Sequence, residues 1–483
     1  MQPTLDKRRA GVLLHPTSLP SSDLGADALR FLDFMRDAGL SVWQTLPLGP
    51  PHGDGSPYHC LSASAVNPAL ISLDRLVERG WLVAAPAAPD PNARLSALAQ
   101  AYDALLRSGN TDDKRAFDEF RNDGPWLHDY ALYQALRDDN AARPWWEWAK
   151  PLCDRDPNAL DEARRRLAPR IDVIYFEQFV AARQWEELRH AAAERGILLF
   201  GDMPIFIALD SADVWAHRDV FKLDSNGRPT VVAGVPPDYF SATGQHWGNP
   251  LYDWDALRQC GFDWWIARMQ TELSRFDIVR IDHFRGFEAC WEIPVEEKTA
   301  VNGKWVPVPG HALFDALIAR FGRLPVVAED LGLITPAVCA LRERYGMPGM
   351  AVLQFAFEGG PDNPYLPHNL TRNSVVYTGT HDNDTTRSWF EGLPAQDQLR
   401  VIDYFGYLHE PMPWPLIRAA LMSVGDYTVV PMQDFLGLGR GMRMNTPGTD
   451  NNNWAWRFNW NDIAPDLASG IKRLVNLYGR DGK

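Results

Sequence analysis

The chain has 483 residues, 46% hydrophobic and 23% charged, a globular balance that points away from disorder and leaves room for one large domain with insertions. A net charge of -14 with no basic run opposes nucleic acid and anionic membranes as partners, and no apolar stretch approaches the roughly 18 residues of a membrane span. The five cysteines are odd in number and lack any C-x-x-C pair, which points away from a disulfide framework or zinc site; with no signal-peptide pattern, a cytoplasmic location is expected.

Gly11-Val-Leu-Leu-His15 reads as a first strand, followed by Ala28, Phe31, Leu32 and Met35 at helical spacing and by Gly39 as a C-cap. Ser41-Val-Trp-Gln-Thr-Leu46 is the second strand. Residues 51–190 are far too many for one crossover helix and predict an inserted, mainly helical subdomain. Within it, the Pro/Ala stretch 83–91 reads as a surface connection and Pro144-Trp-Trp-Glu-Trp148 as packing against the main body. An amphipathic helix over about 171–195, with Phe176, Phe179 and Val180 on one side, leads to the third strand, Gly196-Ile-Leu-Leu-Phe200.

The stretch 231–254, with Tyr239, Phe240, Trp247, Tyr252 and Trp254, reads as a long loop covering a cleft. Five more apolar runs follow at 276–281, 325–328, 350–355, 374–377 and 427–430. All eight runs are continuous rather than alternating, as in strands buried on both faces, and helical pattern separates most of them. The expected fold is α/β: one closed (β/α)8 barrel of the TIM type spanning 1–483, with its chief insertion between strands two and three.

Chemistry in such a barrel sits where strands finish, and three of these strands finish in acids: Val279-Arg-Ile-Asp-His-Phe-Arg285, Val327-Ala-Glu-Asp-Leu-Gly332 and Thr378-Gly-Thr-His-Asp-Asn-Asp384. Residues i and i+2 share a strand face, so Arg280 and Asp282 are expected to enter the pocket together, with Ile281 and His283 turned away. A guanidinium beside Asp282 favours its charged form and thus a nucleophile or electrostatic stabiliser. Glu329 follows apolar residues with no neighbouring cation, which suits a general acid. That pair is the toolkit of glycoside cleavage with retention. Asp382 is then a third acid able to bind sugar hydroxyls, with His381 beside it. A metal site at His381-Asp382 is the less favoured reading, because the further histidine pairs of a phosphohydrolase do not occur in order. His283 and Asp330 are assigned to structure.

Gly11-Val-Leu-Leu-His-Pro-Thr-Ser-Leu-Pro20, Gly53-Asp-Gly-Ser-Pro-Tyr58, Val66-Asn-Pro68, Gly201-Asp-Met-Pro-Ile205, the run from Val235-Pro-Pro-Asp238 to Trp247-Gly-Asn-Pro250 and the three acid motifs together resemble one family end to end. This is the family of 4-α-glucanotransferases, also called amylomaltases or disproportionating enzymes, glycoside hydrolase family 77 of the α-amylase clan. The resemblance implies Asp282 as nucleophile, Glu329 as acid/base and Asp382 as transition-state stabiliser, with Arg280 and His381 beside them. It further implies that Asp202, Asp238, Gln245, Trp247, Ser56, Tyr58 and Asn445 contact bound glucan. The implied substrates are α-1,4-glucans and maltooligosaccharides, with glucose as an acceptor and no cofactor or metal. An α-glucan hydrolase of the same clan and a non-catalytic glucan-binding protein are the competing readings.

Overall fold

The computed structural model describes residues 5, 7–86, 90–108, 110–122, 124–237, 241–406, 409–449 and 451–482. Its strands, in chain order, are β1 (Arg9–Leu13), β2 (Val42–Gln44), β3 (Leu198–Pro204), β4 (Val231–Val235), β5 (Gln245–Pro250), β6 (Ile278–Asp282), β7 (Ala289–Pro294), β8 (Lys304–Pro307), β9 (Val326–Ala328), β10 (Gly349–Val352), β11 (Ser374–Tyr377) and β12 (Tyr427–Pro431).

Eight of them form one parallel sheet in the order β10-β11-β12-β1-β2-β3-β6-β9. The Ala328 amide donates to the Pro348 carbonyl at 2.9 Å, so the two end strands meet and the sheet curls into the expected barrel. All eight expected strands are present. Their side chains alternate between two apolar regions. Val42, Phe200, Ile278, Val327, Val352, Val375, Tyr377 and Val429 fill the interior. Val12, Trp43, Leu199, Val279, Ile281, Val326, Ala328 and Val430 face the surrounding helices. Burial on both sides is why these strands read as unbroken apolar runs.

The first crossover helix, Ala26–Ala38, ends as expected at Gly39, whose φ of 72° is left-handed. Between β2 and β3 lie the helices Pro91–Ser108, Thr111–Asn122, Pro125–Asp139 and Pro157–Glu194. The last has 38 residues, starting well before the expected 171. Asp156 caps it by accepting from the Asn158 and Ala159 amides, and Pro169 lies inside it. A proline lacks the amide that would continue the helix, which is why the sequence places the start after it. Phe117, Phe176 and Phe179 interlock this helix with its neighbours at ring separations of 5.4–6.4 Å. Trp145 is fully buried, donating from its indole nitrogen to the Leu209 carbonyl at 2.8 Å, and Trp148 packs edge-on against Trp215. Of the Pro/Ala connection, Val83 is exposed, while residues 87–89 lie outside the described residues.

The expected loop 231–254 instead contains β4 and β5, half of a second, antiparallel sheet ordered β5-β4-β7-β8. Strand β5, Gln-His-Trp-Gly-Asn-Pro, has no β-branched residue, so its propensity argues against a strand; its pairing with β4 decides the matter. At Gly234 the strands approach so closely that a Cβ would stand 2.2 Å from the Gln245 carbonyl oxygen.

Candidate active site

The strand ends converge as the periodicity predicts. In the β3–β6 register Asp202 pairs with Arg280, and in the β6–β9 register Ile281 pairs with Ala328, so the next residues, Asp282 and Glu329, leave neighbouring strands side by side. Adjacent strands lie about 4.8 Å apart. Retaining glycoside cleavage needs carboxyl groups about 5–5.5 Å apart, the same order.

Arg280, 5% exposed, organises this floor. One of its terminal nitrogens donates to both Asp202 oxygens at 2.7 Å, and the other donates to Asp282 Oδ1 at 2.8 Å. The Tyr58 hydroxyl donates to Asp202 Oδ2 at 2.7 Å. Burial raises the Asp202 carboxyl above its usual range, partly offset by Arg280. A dry salt-bridged pair of this kind fixes geometry more than it stabilises the fold.

Glu329 has no such cation bonded to it. Its Oε2 accepts from the His283 amide at 2.7 Å and its Oε1 from the Leu331 amide at 2.9 Å. Burial pushes its carboxyl up to about 7, with Arg280 opposing the rise and Asp282 adding to it. A carboxylic acid still protonated near neutral pH can act as a general acid.

Asp382 stands at the solvent edge. Its Oδ1 accepts from Asn445 Nδ2 at 2.6 Å and lies 3.4 Å from His381 Nε2. Arg443 donates to the Asp382 carbonyl, and the Asn445 amide donates to the His381 carbonyl at 3.1 Å. The His381 ring stacks on Tyr58 at 5.1 Å and faces Trp454 at 5.9 Å. Behind it lies His15, whose imidazole is held down to about 3 by burial and then by the charge of His381.

The expected residues Asp202, Arg280, Asp282, Glu329, Tyr58, His381, Asp382 and Asn445 thus share one network. Ser56 shapes the turn below Tyr58, accepting from its amide at 3.3 Å. Trp247 donates to Gln245 Oε1 at 3.0 Å and meets the His283 ring edge-on at 4.9 Å, so both reach the site through His283. Asp238, Tyr239 and Phe240 lie outside the described residues. The sequence reading did not single out the His283 and Leu331 amides, Arg443 or Trp454. Main-chain donors leave no side-chain signal, whereas Arg443 and Trp454 flank Asn445 in a Gly/Asn-rich loop and were accessible to a closer reading. Among the described residues no group of three or more His, Cys, Asp or Glu is arranged to hold a metal ion.

The family profile described as 4-alpha-glucanotransferase matches residues 14–462. The 4-alpha-glucanotransferase of Synechocystis sp. is 48% identical over 503 residues, covering 99% of each chain. That of Thermus thermophilus is 46% identical, covering 98% of this chain and 99% of its own. Among solved structures, an amylomaltase from Streptococcus agalactiae in complex with acarbose superposes with a TM-score of 0.94 at 34% identity, covering 99% of this chain and 100% of that one. The amylomaltase of Corynebacterium glutamicum shares the fold, with a TM-score of 0.75 at 18% identity over 99% of this chain and 76% of that one.

Proposed function

The chain belongs to the 4-α-glucanotransferase family and carries that family's activity, and we propose that it transfers α-1,4-glucan segments by double displacement at Asp282 and Glu329. In the first step Glu329 gives its proton to the glycosidic oxygen while Asp282 attacks the anomeric carbon. The bond to the leaving chain breaks and a glycosyl ester forms on Asp282. In the second step Glu329, now a carboxylate, takes the proton of an acceptor 4-hydroxyl, which displaces Asp282 and restores the α configuration. Protons and leaving groups balance without a metal or cofactor. Arg280 and Asp202 hold Asp282, while Asp382, His381 and Asn445 hold sugar hydroxyls as the ring distorts.

The observation that carries this reading is the contrast between neighbouring carboxyls: Asp282 is bonded to a buried guanidinium, while Glu329 receives two amides and is pushed up to about 7. Maltooligosaccharides are the substrates and glucose an acceptor. The acceptor side includes Ser56, Tyr58, Gln245 and Trp247, with β4 and β5 covering the cleft; Asp238, the other expected contact, lies outside the described residues. The barrel over 1–483 acts as one catalytic unit on which the 51–190 insertion packs. No helix of the described residues is long and apolar enough to cross a membrane, and five free cysteines suit the reducing cytoplasm.

The test is chromatography of products from maltotriose together with total reducing ends. Longer and shorter oligosaccharides at constant reducing ends, lost in Asp282→Asn, are the expected result. Rising reducing ends without longer products would make the chain a hydrolase, and no turnover would leave a glucan-binding protein.

A further inference from the structure

Two arms hold the Glu329 carboxyl; a partly exposed ring from β5 meets one of them, and the other carries an apolar side chain left in solvent. On one arm the His283 amide bonds Oε2, and the His283 ring meets Trp247, which is 37% exposed. On the other, the Leu331 amide bonds Oε1, and two residues on stands Leu333, 61% exposed.

A single exposed leucine needs no explanation by itself. This one sits on a loop held in place at a cost. Gly332 takes a φ of 87°, a left-handed turn that a side chain would strain. The nearly buried Arg285 donates to the Leu333 carbonyl and lies 3.7 Å above the Trp305 ring of β8, while its Nε has no partner. Burying a guanidinium with an unpaired donor is unfavourable. The second sheet therefore braces, through Trp305 and Arg285, a loop that leaves an apolar side chain in solvent two residues beyond the amide that holds the acid/base.

We propose that Leu333 packs against the apolar C–H face of the acceptor glucosyl unit and so favours sugar over water in the second displacement. This rests on the transferase reading. Glu329 acts on the glycosidic oxygen, so the groups on its arms flank the unit that leaves or arrives there. A pyranose gains contact by covering Leu333, and a water molecule gains none.

The experiment uses α-maltotriosyl fluoride as donor and glucose as acceptor, comparing wild type, Leu333→Ser and Leu333→Met. Fluoride, free maltotriose and maltotetraose are measured, along with Tm. In Leu333→Ser the KM for glucose is expected to rise about fivefold, equivalent to ~1 kcal/mol. The hydrolysed fraction at subsaturating glucose rises in step, while kcat/KM for the donor, set by steps up to fluoride loss, and Tm stay as in wild type. Leu333→Met keeps the wild-type partition. An unchanged KM for glucose, or a donor kcat/KM that falls in parallel, overturns the proposal, the latter by placing Leu333 behind Glu329 rather than against the acceptor. Wild-type protein that hydrolyses the donor without forming maltotetraose overturns the transferase reading as well, so the two failures are distinguishable.

Discussion

Both ends of the barrel bury an arginine, and they use it in opposite ways. At the entry ends of the strands, Arg480 is wholly buried and donates to the carbonyls of Arg9, Ala420, Leu421, Ser423, Gly425 and Asp426. It thereby ties the end of the helix Trp414–Met422 to the starts of β1 and β12, taking up carbonyls that a helix terminus leaves unpaired. Arg8 adds bonds to Leu421, Ser423, Gly425 and Tyr478 carbonyls. At the exit ends, Arg280 meets two carboxylates, and a third carboxyl, Glu329, stays beside them without its own cation. One end pairs its loose carbonyls and closes the fold. The other leaves an acid desolvated and raised to about 7, the source of the proton in the proposed mechanism.

The sharpest break between the two ends comes from removing Asp282. Asp282→Asn is expected to lower transfer by at least about 10⁴-fold, as loss of a nucleophile does, with Tm little changed. Product chromatography and a thermal melt read both. The mirror-image change is Arg480→Met, which leaves several buried carbonyls unpaired; urea denaturation should show a loss of about 3 kcal/mol or more, with kcat unaltered while the protein remains folded.

Glu329→Gln is expected to lose activity on glycosidic donors yet gain stability. The folded carboxyl is raised to about 7 from an ordinary 4.5, so between those pH values the folded state holds more protons than the unfolded one. Wild-type stability therefore falls as pH rises through that window, and the variant, free of this slope, should be about 1–3 kcal/mol more stable at pH 7. For the same reason wild-type donor kcat/KM should decline on an alkaline limb near pH 7 as the acid form is lost. The smallest effect is expected from Tyr58→Phe, which removes one bond to Asp202 beneath Asp282; a loss of about 1 kcal/mol in transition-state stabilisation, read as kcat/KM, is the expected size.

The barrel was legible because burial on both faces leaves a plain mark: eight unbroken apolar runs with acids at the ends of three. The strand period of two was enough to place Arg280 and Asp282 on one side. The second sheet was hidden for the opposite reason. Strand β5 is mostly exposed and built from residues with poor strand propensity, and β8 has no fully buried residue, so pairing rather than composition makes them strands. His283 was read as turned away from the pocket, and its ring packs between Phe206 and Trp247. Its left-handed φ of 53° aims its amide at Glu329, a main-chain role that side-chain reasoning does not reach.

The division of labour between Asp282 and Glu329 is tested most directly by mass spectrometry of Glu329→Gln after mixing with α-maltotriosyl fluoride. Fluoride leaves without a general acid, while the second step lacks its base, so the account predicts a maltotriosyl adduct that accumulates on the peptide containing Asp282 and is absent from the Asp282→Asn, Glu329→Gln double variant. An adduct on any other residue, or fluoride release with no adduct in either protein, would contradict it.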